Sequence, residues 1–199
     1  MVIDRCLYCD KVINTYSLKS FFLKEDKLCI NCRNKLIKKK VKIERNGLEI
    51  TSFYKYDSFF KDLLLQYKEC FDEALSEVIS YDVIDYIKYK YKKYDLLLVP
   101  SSKKHVEERG FDHLSVLFKE LKNKRINIEM IKDLTQKNIN NRDRKLMETN
   151  YIYEGLNGKN LLIIDDVVTT GSTLKGVYDV MKNYYDNIEI ITLAYTLWK

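Results

Sequence analysis

Residues 161–173 constrain the fold of this chain more than any other stretch. Four apolar residues lead into two adjacent acids, Asp165 and Asp166, and a short loop of Thr, Gly and Ser follows. A short apolar run bounded by polar residues is typical of a buried strand. Ligands bind parallel sheets at the carboxyl ends of the strands, where these acids would lie. The segment therefore predicts a strand, a ligand-binding loop and a helix, in that order.

The loop has the chemistry of a phosphate-binding site. Backbone N–H groups and hydroxyls at the start of a helix bind anions, and the helix dipole adds to the attraction. The residues predicted to surround a phosphate are Thr169, Thr170, Gly171, Ser172 and Thr173. The alternative is a solvated strand end followed by a helix-capping turn. The Gly-Lys-Ser/Thr ending of a P-loop is missing, as are the three glycines of a dinucleotide-binding fingerprint.

The rest of the chain predicts more strands and helices in alternation. Residues 95–99 form a second apolar strand, which Pro100 ends. Asn46-Gly47 lies between two alternating apolar and polar runs and indicates a hairpin, because this pair accepts the positive φ of a type I′ turn. We also expect strands over 126–131 and 188–197, and helices over 58–67 (capped by Ser58), 74–87, 112–123 and 172–185. This order predicts an α/β fold with a parallel sheet flanked by helices.

Four of the five cysteines form two short pairs near the start of the chain. The pairs are Cys6 with Cys9 and Cys29 with Cys32, each with two residues between the cysteines. This spacing is typical of a zinc ribbon, in which two tight turns aim four sulfurs at one ion. Four thiolates suit zinc or an iron–sulfur cluster better than magnesium, and two disulfides are the alternative. Cys70 has no partner, and we expect it to be a small core residue.

The net charge of +6 is concentrated in the first quarter of the chain. Residues 1–50 carry 12 Lys and Arg against six Asp and Glu, and the densest run is Lys38, Lys39 and Lys40. A basic region beside a neutral body favours an acidic partner such as nucleic acid, although a solvated lysine-rich face is the alternative.

Length and composition indicate one ordinary domain with a small appendage. We divide the chain into a zinc ribbon at 1–40 and an α/β domain at 41–199. No stretch reaches the roughly 18 uncharged apolar residues of a membrane span, and the first ten residues lack the apolar core of a secretory signal. We therefore expect a soluble, cytoplasmic protein.

The motif at 161–173 resembles the signature of type I phosphoribosyltransferases, which bind 5-phosphoribosyl-1-pyrophosphate (PRPP). Other features resemble the ComF family of competence proteins: the four-cysteine ribbon, Lys68, Val99-Pro100 and the Arg-Gly-Phe-Asp-His run at 109–113. Thr135, Gln136 and Arg144 resemble a further family segment, in which Met147 stands where the family has Asn.

The resemblance implies roles for particular residues. Asp165 and Asp166 would bind the ribose hydroxyls, and residues 169–173 the 5′-phosphate. The turn after Pro100 would meet the pyrophosphate, with Mg²⁺ bridging substrate oxygens. The pyrophosphate candidates are Ser101, Ser102, Lys103, Lys104 and Arg109. Cations around a leaving pyrophosphate agree with the charge that develops there, while a basic solvated loop is the alternative.

Two functions remain open after these observations. In the first, the protein acts in DNA uptake during natural transformation: it keeps a PRPP-binding site, and its basic ribbon contacts single-stranded DNA or a competence helicase. In the second, it is an active phosphoribosyltransferase with an unidentified acceptor. Thr169 stands where 6-oxopurine salvage enzymes carry Asp, which disfavours hypoxanthine and guanine. No catalytic base is evident, and we expect His105 and His113 to have hydrogen-bonded structural roles.

Overall fold

The computed structural model describes residues 5–13, 27–70, 72–130 and 151–197. The helices of these residues are α1 (Ile30–Lys35), α2 (Ser58–Glu69), α3 (Leu75–Lys90), α4 (Lys103–Arg109), α5 (His113–Leu117) and α6 (Ser172–Met181). The strands are β1 (Lys38–Arg45), β2 (Leu48–Lys55), β3 (Asp95–Leu98), β4 (Arg125–Ile126), β5 (Glu129–Met130), β6 (Tyr151–Ile152), β7 (Gly158–Val168) and β8 (Tyr185–Tyr195).

Six strands form one sheet in the order β1-β2-β8-β7-β3-β4. Every neighbouring pair in it is parallel except β1 and β2, which are antiparallel. The turn between them places Asn46 at φ 50° and Gly47 at φ 74°, as a tight hairpin requires. The predicted α/β class, with a mostly parallel sheet flanked by helices, is confirmed, and the hairpin adds an antiparallel edge strand to it.

The core is built on β7 and β8, the two longest strands, which pair with each other along most of their length. The four apolar residues that predicted β7, at 161–164, are completely buried. Helix α3 packs on β8 and α5, and α2 packs on α3. This arrangement brings α2 and α5 toward the end of β7 at which the two acids lie.

Several element boundaries differ from those expected. Strand β7 continues to Val168, so the two acids lie within the strand and not after it. The expected strand at 126–131 is divided into the short β4 and β5. Helices α5 and α6 end earlier than expected, and β8 begins three residues earlier. Apart from the break within 126–131, these differences fall at element ends, where local sequence patterns carry the least information.

The expectations for two side chains, the cap of α2 and Cys70, were wrong. The cap of α2 is Asp57, whose carboxylate accepts a hydrogen bond from the backbone N–H of Phe60 at 3.0 Å; Ser58 is the first helical residue. Cys70 is exposed and not a core residue, because α2 ends at Glu69 and leaves Cys70 in the connection beyond it. Within the described residues, no helix is both long and apolar enough to cross a membrane.

Candidate functional site

The predicted phosphate loop lies between the end of β7 and the start of α6. Gly171 has a φ of +81°, precedes the first residue of α6, and its carbonyl oxygen accepts a hydrogen bond from Lys175 N–H at 2.8 Å. The hydroxyls of Thr170 and Ser172 are 3.0 Å apart. The side chains of the loop threonines and Ser172 are exposed. The loop thus presents hydroxyls to solvent at the N-terminus of a helix, a position that attracts phosphate.

The hairpin of β1 and β2 packs against this loop. A Cβ atom added to Gly171 would lie 2.9 Å from the Cβ of Arg45 and 3.3 Å from its carbonyl oxygen. The Arg45 guanidinium donates to the carbonyl oxygen of Thr196 at 3.0 Å, and Thr196 N–H donates to the carbonyl oxygen of Val168 at 3.1 Å. Only glycine fits at position 171 without displacing the hairpin, and no pattern in the sequence indicates this contact with Arg45.

The carboxylate of Asp166 is held by groups from two helices. The Lys68 ammonium, on α2, forms an ion pair with Asp166 Oδ2. The ring Nε2 of His113, on α5, lies 3.2 Å from the same oxygen. Asp166 Oδ1 accepts a hydrogen bond from the backbone N–H of Val167 at 2.6 Å. All three side chains are at most 15% exposed, so the ion pair lies largely out of water and is weakly screened.

His113 is also tied to the loop that follows β3. Its Nδ1 lies 3.2 Å from the hydroxyl of Ser101, and its carbonyl oxygen accepts a hydrogen bond from the Tyr67 hydroxyl at 2.6 Å. The expectation that His113 is hydrogen-bonded agrees with these contacts. Its place beside Asp166 was missed, and so was the ion pair of Lys68. The sequence signal for both was the family resemblance at 109–113 and at Lys68, which assigns no partner to either.

The two adjacent acids have opposite electrostatic environments. Burial, followed by the negative charge of Asp166, raises the pKa of Asp165 well above its ordinary value. Burial also acts to raise the pKa of Asp166, but the hydrogen bond from His113 and the charge of Lys68 outweigh it and lower that pKa. At neutral pH the pair therefore contains one firmly ionised carboxylate beside a group that resists ionisation.

The structure joins one of the five pyrophosphate candidates to the acids. Ser101 reaches Asp166 through His113. Ser102 caps α4, and its hydroxyl accepts a hydrogen bond from His105 N–H at 3.4 Å. The expected turn is therefore the start of a helix. The basic candidates Lys103 and Lys104 are exposed on the first turn of α4. The Lys104 ammonium lies 3.8 Å from a carboxylate oxygen of Glu108. The Arg109 guanidinium lies 3.7 Å from a carboxylate oxygen of Glu69.

The four cysteines form a second cluster. The sulfurs of Cys6, Cys9, Cys29 and Cys32 all lie within 4.8 Å of one another, and none of the cysteines is in a disulfide. The Cys9 and Cys29 sulfurs are 3.7 Å apart. Metal–sulfur bonds of about 2.3 Å in a tetrahedron separate the sulfurs by roughly 3.8 Å. The geometry and the soft donor set therefore fit a bound metal ion, and the predicted ligands are brought together.

Two of the four cysteines have opposite electrostatic environments. Burial opposes ionisation of Cys6, but hydrogen bonds from the backbone N–H groups of Cys29, Cys9 and Tyr8 lower its pKa to about 7. Burial raises the pKa of Cys32.

The cluster packs on α2 through the rings of Tyr8 and Phe59, whose centroids are 4.7 Å apart. The helix that carries Lys68 is thus in contact with the cysteine region.

Part of the family resemblance falls outside the described residues. Thr135, Gln136, Arg144 and Met147 all lie in the segment 131–150, of which the structure gives no description. The site is therefore built here from α2, α5, α6 and the ends of β3 and β7.

The comparison with known protein families agrees with this geometry. The phosphoribosyl transferase domain family matches residues 106–197. The chain contains a phosphoribosyltransferase-type domain. The matched residues of this domain include His113, both acids and the whole phosphate loop, whereas Lys68 and the cysteines lie before them.

Solved structures include a similar protein, a hypoxanthine phosphoribosyltransferase from Staphylococcus aureus. Its TM-score to this chain is 0.38 with 17% sequence identity, and the similarity covers 62% of this chain and 64% of that one. The chain thus matches less than two thirds of that enzyme's length. No curated protein sequence matches this chain significantly.

Proposed function

We propose that this protein binds PRPP together with Mg²⁺ at the carboxyl ends of β3 and β7. The observation that carries the proposal is the ionised Asp166, fixed by Lys68 and His113, next to the loop that leads into α6. A carboxylate that is held in place, and can accept hydrogen bonds from sugar hydroxyls, therefore lies beside a helix N-terminus that can bind a phosphate. The domain-family match, which covers Asp166, His113 and the loop, supports a phosphoribosyl ligand.

The residue roles follow the chemistry of the ligand. Asp165 and Asp166 bind the ribose hydroxyls, and residues 169–173 bind the 5′-phosphate. The pyrophosphate is bound by the loop after β3 and by the cations near it: Ser101, Ser102, Lys103, Lys104 and Arg109. Carboxylate and phosphate oxygens are the ligands Mg²⁺ prefers, and when bound with PRPP the ion would neutralise charge on the pyrophosphate. Zinc is the proposed metal of the cysteine cluster, where four protein ligands leave no open position and the role is structural.

The biological role we propose is DNA uptake during natural transformation, in the cytoplasm, with the ribbon of residues 1–40 preceding the PRPP-binding domain of 41–199. This role is taken from the resemblance to the ComF family. The alternative is an active phosphoribosyltransferase with an acceptor still to be identified. The Asp165 and Asp166 pair is compatible with both, since each needs the ligand to bind.

Calorimetric titration of PRPP with Mg²⁺ tests the proposal. We expect binding to the wild type and at least a tenfold loss of affinity in Asp166→Asn, because the carboxylate and its hydrogen bonds are removed. Asp186→Asn, an exposed acid on β8, is the matched control and should bind normally. No heat with the wild type would refute PRPP binding. Pyrophosphate release with any added acceptor would favour an active phosphoribosyltransferase over a protein that only binds PRPP.

The surface around β1 supports contact with single-stranded DNA. Lys38, Lys39 and Lys40 lie on this exposed edge strand, and the Lys40 ammonium is 4.5 Å from the centroid of the Tyr86 ring on α3. Tyr89, also on α3, is 90% exposed. Tyr86 is half-buried, so the exposed groups of this surface are the lysines and Tyr89. Lysines and exposed aromatic rings are typical of single-strand binding, in which the charges contact phosphates and the rings stack on bases. A competence helicase remains the alternative partner.

Salt titration of single-strand binding tests this surface. Replacing residues 38–40 with Ala should lower the slope of log K against log salt by about 1–2, since each lost phosphate contact contributes roughly 0.7. A triple variant with the same charge change, at the exposed Lys119, Lys122 and Lys159, should keep the wild-type slope. Equal slopes in all three proteins would exclude DNA contact through residues 38–40.

A further inference from the structure

His113 occupies an unusual position between two parts of the proposed site. It is 5% exposed and lies at the first residue of α5. One ring nitrogen faces Asp166 on β7, and the other faces Ser101 in the connection from β3 to α4. The proposed roles of these two partners differ: Asp166 serves the sugar, and Ser101 serves the pyrophosphate. A single buried ring therefore contacts both halves of the site.

The direction of the hydrogen bonds assigns a role to each ring nitrogen. An ionised carboxylate can only accept, so Nε2 must carry the proton that it donates to Asp166. In the neutral ring this leaves Nδ1 as the acceptor for the Ser101 hydroxyl. Asp112 and Lys68 are also near the ring: an oxygen of Asp112 lies 4.0 Å from Nδ1, and the Lys68 ammonium pairs with the Asp166 oxygen that Nε2 contacts.

Helix α2 fixes the ring in this position. The Tyr67 hydroxyl, completely buried, donates to the His113 carbonyl oxygen at 2.6 Å. The next residue, Lys68, forms its ion pair with the same carboxylate oxygen that His113 contacts. The ring of Phe111 packs edge-on against Tyr67, with centroids 5.7 Å apart. Both the backbone and the side chain of His113 are thus held by α2 and its partners.

We propose that His113 is a positioning residue that links the sugar acid Asp166 to the pyrophosphate loop at Ser101. This inference rests on the proposed function, because the two halves are defined by PRPP. Through Nε2 the ring orients Asp166, and through Nδ1 it accepts the hydroxyl hydrogen of Ser101 and so fixes the loop that Ser101 begins. Loss of either hydrogen bond should weaken the binding of one half of the ligand, the sugar phosphate or the pyrophosphate, and leave the binding of the other half unchanged.

Two conservative substitutions separate the two hydrogen bonds. The side-chain amide nitrogen of Gln reaches about as far as Nε2 of His, and the amide of Asn reaches about as far as Nδ1. His113→Gln therefore keeps the contact with Asp166 and loses the contact with Ser101. His113→Asn does the reverse, and His113→Phe loses both.

The test is calorimetric titration of ribose 5-phosphate, pyrophosphate and PRPP, each with Mg²⁺, into the full chain and the three variants. We expect His113→Gln to bind ribose 5-phosphate normally and pyrophosphate roughly tenfold more weakly. His113→Asn should show the opposite pattern, and His113→Phe should weaken all three ligands. A merely structural role would weaken both halves equally in Gln and Asn, which would overturn the inference.

A measurement on the wild type keeps the inference testable should the variants unfold. Nitrogen NMR of the His113 ring should show the Nδ1 signal move on addition of pyrophosphate and the Nε2 signal move on addition of ribose 5-phosphate. If both probes bind and neither signal moves, the inference is wrong while PRPP binding stands. If the wild type binds none of the three ligands, the proposed function and this inference both fail.

Discussion

The cysteine cluster and the acid site assemble charged groups in two different ways. In the cluster, two ligands come from the turn at 6–9 and two from the start of α1, and the charge of the thiolates has to be balanced by an ion from outside the chain. At the acid site, Asp166 is balanced by side chains 98 and 53 residues away in the sequence, Lys68 and His113. The first site should therefore depend on metal, and the second on the packing of α2 and α5.

The largest effect should follow loss of the metal. Structural zinc binds zinc-finger peptides with roughly 10–16 kcal/mol of apparent free energy. Cys29→Ser removes one of the four ligands, so the variant should lose the ion, this free energy and the packing of Tyr8 on Phe59. We expect a lower thermal midpoint and less than one bound zinc per chain by metal analysis. Cys70→Ser, which changes an exposed cysteine, should keep both values. Full metal content in Cys29→Ser would contradict a four-cysteine site.

Loss of the Asp166 carboxylate should be the next largest effect. Asp166→Asn leaves the Lys68 ammonium, 15% exposed, without its anion, and breaking a buried pair costs about 3–5 kcal/mol. Urea unfolding should show this loss of stability. Glu49→Gln is the matched control, because it breaks the exposed pair with Lys42, which is worth at most about 1 kcal/mol. Equal losses would mean that Lys68 finds another partner.

The same contrast explains what the sequence could predict. The Asn46-Gly47 hairpin, the strand before the acids, and the cysteine cluster were all predictable, because each depends on neighbours within a few residues or on a spacing typical of one kind of site. Asp165 and Asp166 could also be placed at the carboxyl end of their strand, since this follows from the strand itself.

The partners of Asp166 could not be predicted in this way. Lys68 lies in an amphipathic helix and His113 follows a turn, and neither has a local pattern that indicates a buried carboxylate. Their contacts arise only when α2 and α5 pack beside the end of β7, so they depend on the whole fold. The contact of Arg45 with Gly171 is of the same kind, because it requires the edge hairpin to reach the phosphate loop.

Asp165 should respond to pH with the opposite sign to Asp166. Burial and the charge of Asp166 raise the pKa of Asp165, so the folded protein keeps a proton that the unfolded chain loses above about pH 3.9. The contribution of Asp165 to stability therefore falls as pH rises. Asp165→Asn removes this dependence, and we expect it to be more stable than the wild type at pH 7. Urea unfolding between pH 4 and 8 measures the difference, and identical pH profiles would contradict the assignment.

For Asp166 the sign is reversed. Its pKa is lowered in the folded protein by the hydrogen bond from His113 and the charge of Lys68, which outweigh burial. Its stabilisation is therefore present above the ordinary pKa of Asp and is lost as pH falls through the lowered value. Asp166→Asn should consequently lose stability at neutral pH, where Asp165→Asn gains it. Two changes of the same chemistry at adjacent positions then give opposite results.

The smallest effect should come from the phosphate loop. Gly171 and Gly110 both have positive φ, +81° and +77°, so Ala at either position costs about 1–2 kcal/mol of backbone strain. A Cβ at Gly110 meets no atom within 4 Å, whereas one at Gly171 lies 2.9 Å from the Cβ of Arg45. Gly171→Ala should therefore unfold at a lower urea concentration than Gly110→Ala and bind ribose 5-phosphate more weakly than the wild type. If the two variants are equally stable, the hairpin yields to the added methyl group, and Arg45 does not fix the loop.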